Sequence, residues 1–270
     1  MHPTQLPAHV IDRIVFRRGR LHGFESIEPH KTALVVIDMQ NVFCANGAVG
    51  EVTTAREIVP NINRLARATR AAGGTVVWVQ MTIARWQDWA LVLDNLLSPA
   101  EAERTFAQIQ PGSDGHALWP GMEPAEGDLF IAKNRFSAFL PTASTLGNAL
   151  RERGIDTVVI VGTLTNVCCE SSARDAAMLD FKTFMVSDAN AALTDEEHMA
   201  TLVNFIQNPF GDVRSTDEMI GMLTSQLTGR GIGALGACLR IAIFAGVSTP
   251  SAIPSWPWIA SRTFGADYVC

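Results

Sequence analysis

Apolar residues are gathered into two kinds of block along the chain. Thr32–Ile37, Thr75–Gln80, Asp128–Ala132, Val158–Val161 and Phe181–Val186 are short, rich in β-branched residues and nearly continuous in apolar character. Runs of that length without polar alternation predict strands buried on both faces, as in a parallel sheet. The second kind is longer, with apolar residues returning at helical spacing. In Ala55–Ala72, residues Ile58, Ile62, Leu65 and Ala66 share one face, and Gly73-Gly74 ends the helix. Helices are also expected in a short stretch ending near Ile109 and over Ala143–Arg153, Glu170–Leu179, Asp195–Ile206 and Met219–Gln226. Pro111–Glu126, with its Gly and Pro, reads as loop. Strand and helix thus alternate, which predicts an α/β fold with a mostly parallel, doubly wound sheet and right-handed crossovers.

The pattern occupies residues 31–226. Residues 1–30 read as an extension, made locally basic by Arg13, Arg17, Arg18 and Arg20. A solvated arm or a contact with a partner subunit is the expectation for it. Residues 227–270 form a low-charge apolar tail; from Gly231 onward only Arg240, Arg262 and Asp267 are charged. Gly231–Val247 is at the short limit for a membrane span and carries Arg240 near its centre, so an appendage is expected there rather than a span.

Composition narrows the partners. The 270 residues are 47% hydrophobic and 18% charged, as expected of a folded globular chain. A net charge of −6, with no basic cluster interleaved with aromatics, gives no reason to expect nucleic acid or an anionic membrane surface. Five cysteines are an odd number, and Cys168 and Cys169 are adjacent, which argues against a disulfide framework and for a reducing, cytoplasm-like compartment. Met1–His30 is too polar for a secretory signal.

The candidate chemistry starts at Ile155–Ala176. The strand Val158–Val161 is followed by a bend at Gly162–Asn166, then Cys168, then a helix. A cysteine there sits among unpaired backbone N–H groups at a positive helix end, which favours thiolate over thiol. Asp38 follows the first strand and Lys133 the third. Each has a plain reading beside the functional one, Asp38 as a cap and Lys133 as a solvated cation. In a parallel sheet, however, strand ends of this kind share the ligand-binding edge. There a carboxylate can take the thiol proton, an ammonium can steady the pair, and N–H groups near Thr165–Cys168 can hold an oxyanion.

These motifs carry a resemblance. Asp38-Met39-Gln40-Asn41, Lys133 ahead of Arg-Phe-Ser-Ala-Phe, and Gly162-Thr-Leu-Thr-Asn-Val-Cys168-Cys-Glu-Ser-Ser-Ala-Arg-Asp-Ala are similar to the isochorismatase-like cysteine hydrolase superfamily, over about Thr32–Gln226. The resemblance implies a three-layer fold with a sheet of about six strands. It implies Asp38 as base, Lys133 as electrostatic helper and Cys168 as nucleophile. It also implies a cis peptide near Leu164–Thr165 that turns N–H groups toward an oxyanion formed at Cys168.

Nicotinamidases of this superfamily bind a metal through an Asp-x-His pair beyond the second strand. Gln80–Trp86 has no histidine, and His2, His9, His22, His30, His116 and His198 form no ligand-spaced cluster in sequence. No metal or other cofactor is therefore expected. Asn166 resembles the ureidoacrylate and carbamoyl-cleaving branch instead. Gln40, Asn134 and Asn166 are candidates to orient the substrate or the site. Trp86 and Trp89 are candidates for a pocket wall, or for ordinary packing. The resulting expectation is a metal-independent cysteine amidohydrolase acting on a small amide, ureide or carbamoyl compound, assembled as a homodimer or homotetramer. The alternatives are isochorismatase-type or ester hydrolysis, a silent binding protein of the same fold, and a thiol redox protein using Cys168 and Cys169.

Overall fold

The computed structural model describes residues 1–235, the last ten of them by backbone alone. The tail expected over 227–270 therefore lies outside the described residues, apart from the backbone that ends the last helix.

The chain opens with helix α1 (Ala8–Arg18) and enters the sheet at β1 (Thr32–Ile37). A single turn, α2 (Asn41–Cys44), precedes α3 (Ala55–Ala71), and β2 (Thr75–Met81) follows. Next come α4 (Ala90–Asn95), α5 (Pro99–Ile109) and β3 (Leu129–Lys133). The second half runs α6 (Leu146–Glu152), β4 (Thr157–Thr163), α7 (Glu170–Met178), β5 (Lys182–Ala191), α8 (Asp195–Gln207), β6 (Asp212–Arg214) and α9 (Thr216–Leu235).

The six strands lie in the order β3-β2-β1-β4-β5-β6, and every pairing is parallel. The winding reverses between β1 and β4, so the crevice for a ligand is expected beyond the carboxyl ends of those two strands. Ile37 faces Gly162 there, and Met81 faces Lys133 one strand further out.

Alternate residues of β1 serve opposite layers. Ala33, Val35 and Ile37 pack with Val10, Ile14, Leu150, Ala173 and Phe205, so α1, α6, α7 and α8 cover that face. Leu34 and Val36 pack with Ile58, Ile62, Leu65, Met219 and Leu223 of α3 and α9. Both faces are therefore dry, which is why the strands read as unbroken apolar runs.

Gly162 is at φ +116, and a Cβ there would stand 2.1 Å from the Ile37 carbonyl oxygen. Only glycine lets the end of β4 press this closely onto β1. The β4–β5 register shifts at the same place: between Ile160 and Gly162 β4 advances two residues while β5 advances from Met185 to Asn190, so the extra residues bulge from β5.

Three differences from the sequence expectation stand out. Part of the basic extension is a helix with Val10 and Ile14 in the core, and its far end is tied down by the buried Asp212. Asp212 takes the His22 ring at 2.9 Å and the Gly23 N–H at 3.1 Å. The stretch ending at Ile109 is two helices preceded by a tight turn at Trp86–Trp89, where a single helix is expected. The short strand β6 goes undetected in the sequence because it has only three residues, two of them charged.

Candidate active site

Asp38 follows β1 at once and takes the left-handed conformation, φ 53. Aspartate tolerates that region better than most residues. Its N–H donates to the Val79 carbonyl (2.9 Å), and its own carbonyl accepts from Gln40 N–H (2.8 Å), which fixes the reversal. The carboxylate turns inward and is fully buried.

Lys133, the last residue of β3, is buried beside it. Its Nζ stands 2.8 Å from Asp38 Oδ2 and donates to the Arg135 carbonyl at 3.1 Å. The same ammonium lies 3.4 Å from Cys168 Sγ and 3.6 Å from Met81 Sδ. Neither Asp38 oxygen has a well-directed hydrogen bond from the protein, so the ion pair with Lys133 is what holds the carboxylate.

Cys168 lies on a π-helical turn, Thr165–Cys169, inserted between β4 and α7. It is 5% exposed. Three residues at the carboxyl ends of three separate strands thus meet at one point, as the sequence reading expects of the shared edge. The thiol itself departs from expectation. Burial pushes Cys168 up to about 12; the Lys133 ammonium opposes this, and the Asp38 carboxylate adds to it. Desolvation thus opposes the thiolate that the local N–H groups and the helix end favour. Lys133 is raised as well: burial alone would push it down, but the Asp38 carboxylate beside it prevails, with Cys168 adding to the effect. Cys169 is held well above its ordinary value by burial and is fully buried in the core.

The cis peptide lies between Thr163 and Leu164, one bond earlier than the expected Leu164–Thr165. The Leu164 carbonyl accepts from Val167 N–H (3.2 Å) and Cys169 N–H (3.1 Å), closing the turn around the nucleophile.

The other candidates divide. Gln40 is committed to the backbone: its carboxamide oxygen accepts from Met81 N–H (2.7 Å), and its Nε2 donates to the His116 carbonyl (2.9 Å). It thereby pins the Asp38 reversal to the end of β2. Asn134 and Asn166, which flank Lys133 and Cys168 in the chain, each bury a carboxamide oxygen with no protein partner. Trp86 is engaged locally, with Nε1 donating to Asp94 at 2.7 Å and its ring edge-on to Phe106. Trp89 sits edge-on to Phe136 and lines a groove of about 590 Å³ together with Leu91, Leu140, Arg174 and Met178. Ser137 and Ser171 also line this groove, but Asp38, Lys133 and Cys168 do not. Among the described residues, no group of three or more His, Cys, Asp or Glu is arranged to hold a metal ion.

The Isochorismatase domain model matches residues 32–218, which include all of this edge. The chain belongs to the isochorismatase family. It is 31% identical over 217 residues to the ureidoacrylate amidohydrolase RutB of Agrobacterium fabrum (strain C58 / ATCC 33970), covering 74% of this chain and 92% of that protein. Among solved structures it is similar to a cysteine hydrolase from Pseudomonas syringae pv. phaseolicola 1448A, with a TM-score of 0.68 and 28% identity over 75% of this chain and 96% of that one. It is also similar to the N-carbamoylsarcosine amidase from Thermoplasma acidophilum, with a TM-score of 0.57 and 26% identity over 69% and 97% of the two chains.

Two contributors to this isochorismatase-family edge escape a reading of the sequence. Met81 ends β2 as an ordinary apolar residue, yet its sulfur contacts Lys133. Ser172 of α7 accepts from Ala138 N–H at 3.0 Å, tying the segment after Lys133 to the helix after Cys168. Each acts on a residue far away in the chain: Met81 lies outside the quoted motifs, and Ser172, though inside the Cys168 motif, carries no sign there of its bond to Ala138.

Proposed function

We propose that the protein is a cysteine amidohydrolase that cleaves a C–N bond in a small amide, ureide or carbamoyl compound without a metal. The observation that carries the reading is the buried ammonium of Lys133, 2.8 Å from the Asp38 carboxylate and 3.4 Å from the Cys168 sulfur. A thiol raised to about 12 is inert at neutral pH without a base, and Asp38 is the base beside it.

In this reading Asp38 takes the thiol proton as Cys168 Sγ forms a bond to the substrate carbonyl carbon. The C=O π pair moves onto oxygen, where N–H groups of the Leu164–Cys168 turn stabilise it. The tetrahedral intermediate collapses, the C–N bond breaks, and the leaving nitrogen takes the proton from Asp38. A water molecule then gives its proton to Asp38 and attacks the thioester carbon. Cys168 leaves with that proton, and the carboxylic or carbamic acid departs. Lys133 stays charged throughout.

The unpartnered carboxamide oxygens of Asn134 and Asn166 support a substrate bearing N–H groups, which those acceptors would bind. That favours an unsubstituted amide, ureide or carbamoyl nitrogen over an ester. The similarity to a ureidoacrylate amidohydrolase and an N-carbamoylsarcosine amidase, both C–N hydrolases by name, supports the same class. The metal-free form rests on Gln80–Trp86, which lacks the histidine a nicotinamidase-type site needs.

The test is ammonia release from a panel of small amides, ureides and carbamoyl compounds, with chelator present, by the wild type and Cys168→Ala. Release by the wild type alone, undiminished by chelator, is the expected result. Equal release by Cys168→Ala would remove the nucleophile assignment, and loss of release on chelation would remove the metal-free mechanism.

A further inference from the structure

The turn that carries Cys168 is braced from behind by groups that take no part in the chemistry above. Thr165, its first residue, is fully buried, and its Oγ1 lies 2.9 Å from His198 Nδ1 in the first turn of α8. His198 is also fully buried, and its Nε2 lies 3.0 Å from the Ser187 carbonyl of β5. A carbonyl can only accept, so Nε2 carries the ring hydrogen. In a neutral imidazole Nδ1 is then an acceptor, and the Thr165 hydroxyl donates to it. Burial, with His2 beside it, lowers His198 to about 4, so the neutral ring is the resting form.

The far side of that ring is covered by His2, stacked at a centroid distance of 4.6 Å and 19° between planes. His2 is itself fixed. Its Nε2 lies 3.0 Å from the Ala192 backbone nitrogen and 3.2 Å from the Ala192 carbonyl oxygen, and its Nδ1 lies 2.6 Å from Asp195 Oδ1. Thr54 closes the corner by donating to the Ala192 carbonyl at 2.8 Å. Two imidazoles thus connect the start of α8 and the end of β5 to one hydroxyl on the nucleophile's turn.

We propose that His198 is a positioning residue for the nucleophile: through the Thr165 hydroxyl it holds the 163–168 turn in place, with His2 clamping it from outside. The inference rests on the cysteine hydrolase reading above. Within the turn, the Leu164 carbonyl accepts from Val167 and Cys169 N–H at 3.2 and 3.1 Å, and the Thr165–His198 bond adds a hold from outside the turn on where Sγ stands. A misplacement of about 1 Å is enough to cost on the order of a hundredfold in rate.

The experiment compares Thr165→Val, Thr165→Ser, His198→Ala and His2→Ala with the wild type. One readout is the rate of Cys168 carboxamidomethylation by iodoacetamide, followed by mass spectrometry. The second is kcat and KM on whichever panel amide the wild type hydrolyses, and the third is the melting temperature. Thr165→Val, which removes the hydroxyl and keeps the shape, is expected to lower kcat and the alkylation rate about tenfold with KM within about twofold. Thr165→Ser, which keeps the hydroxyl, is expected to stay near wild type. His198→Ala should match Thr165→Val, and His2→Ala should fall between.

Wild-type kcat and alkylation in Thr165→Val would overturn the proposal, as would Thr165→Ser failing as badly as Thr165→Val. Should the wild type hydrolyse nothing in the panel, the amidohydrolase reading fails, and the alkylation rates still decide whether the tether positions Cys168. Thr165→Val also keeps the claim testable if His198→Ala does not fold.

Discussion

The Lys133 ammonium lies 2.8 Å from Asp38 Oδ2, and both side chains are sealed from solvent. Taking one partner from such a pair leaves the other charge buried alone, at about 3–5 kcal/mol. Lys133→Met should therefore lower stability by about that amount, read as a shift in the urea midpoint, and abolish turnover. Lys133→Arg should not restore activity, because the planar guanidinium is larger and differently shaped than the space between Asp38, Met81 and Cys168.

The adjacent cysteines should separate cleanly. Cys169 is fully buried among apolar side chains, so Cys169→Ala should cost about 1 kcal/mol and leave turnover nearly intact. Cys168→Ala should keep the fold and lose turnover. Loss of activity in Cys169→Ala with retention in Cys168→Ala would exchange their roles.

Cys44 and Cys168 are both raised to about 12 by burial, against an ordinary value of 9.0. Above pH 9 the unfolded chain's thiols lose protons that the folded chain keeps. Stability from these thiols is therefore complete below pH 9 and declines as pH rises toward 12. Urea midpoints at pH 8 and pH 10 should show the fall, and Cys44→Ala should flatten it.

His198 has the opposite sign. Its folded value of about 4 lies below the ordinary 6.5, so the unfolded chain binds a proton first as pH falls. Stability is complete above pH 6.5 and is lost between there and pH 4, by roughly 3 kcal/mol. A variant such as His198→Asn should be less stable at pH 7 and show a shallower decline in acid.

Gly162→Ala tests the closeness of β1 and β4. A methyl group would meet the Ile37 carbonyl oxygen at 2.1 Å, at a φ of +116 that side chains rarely adopt. The strands must part, and the turn carrying Cys168 must move with β4. A loss of several kcal/mol together with loss of activity is expected, measured by thermal unfolding and turnover.

The central strands were legible because burial on both faces leaves an unbroken apolar signature, as in Thr32–Ile37 and Val158–Val161. Asp38, Lys133 and Cys168 were legible as a set because each follows a strand, and a parallel sheet brings such positions to one edge. What escaped depends on contacts across the chain. The bond from Thr165 to His198 spans 33 positions. The burial of Val10 and Ile14 depends on helices that follow much later. The burial that raises the Cys168 thiol is not legible in its neighbours along the chain, because desolvation depends on the whole fold.

The shared ammonium has one more consequence. Before the proposed proton transfer, Lys133 is positive, Asp38 negative and Cys168 neutral; afterwards Asp38 is neutral and Cys168 negative. The three groups together carry no net charge at either end of the step. The negative charge swings between oxygen and sulfur about a fixed cation within reach of both, at 2.8 and 3.4 Å, so ionising the thiol places no additional unbalanced ion in the dry interior.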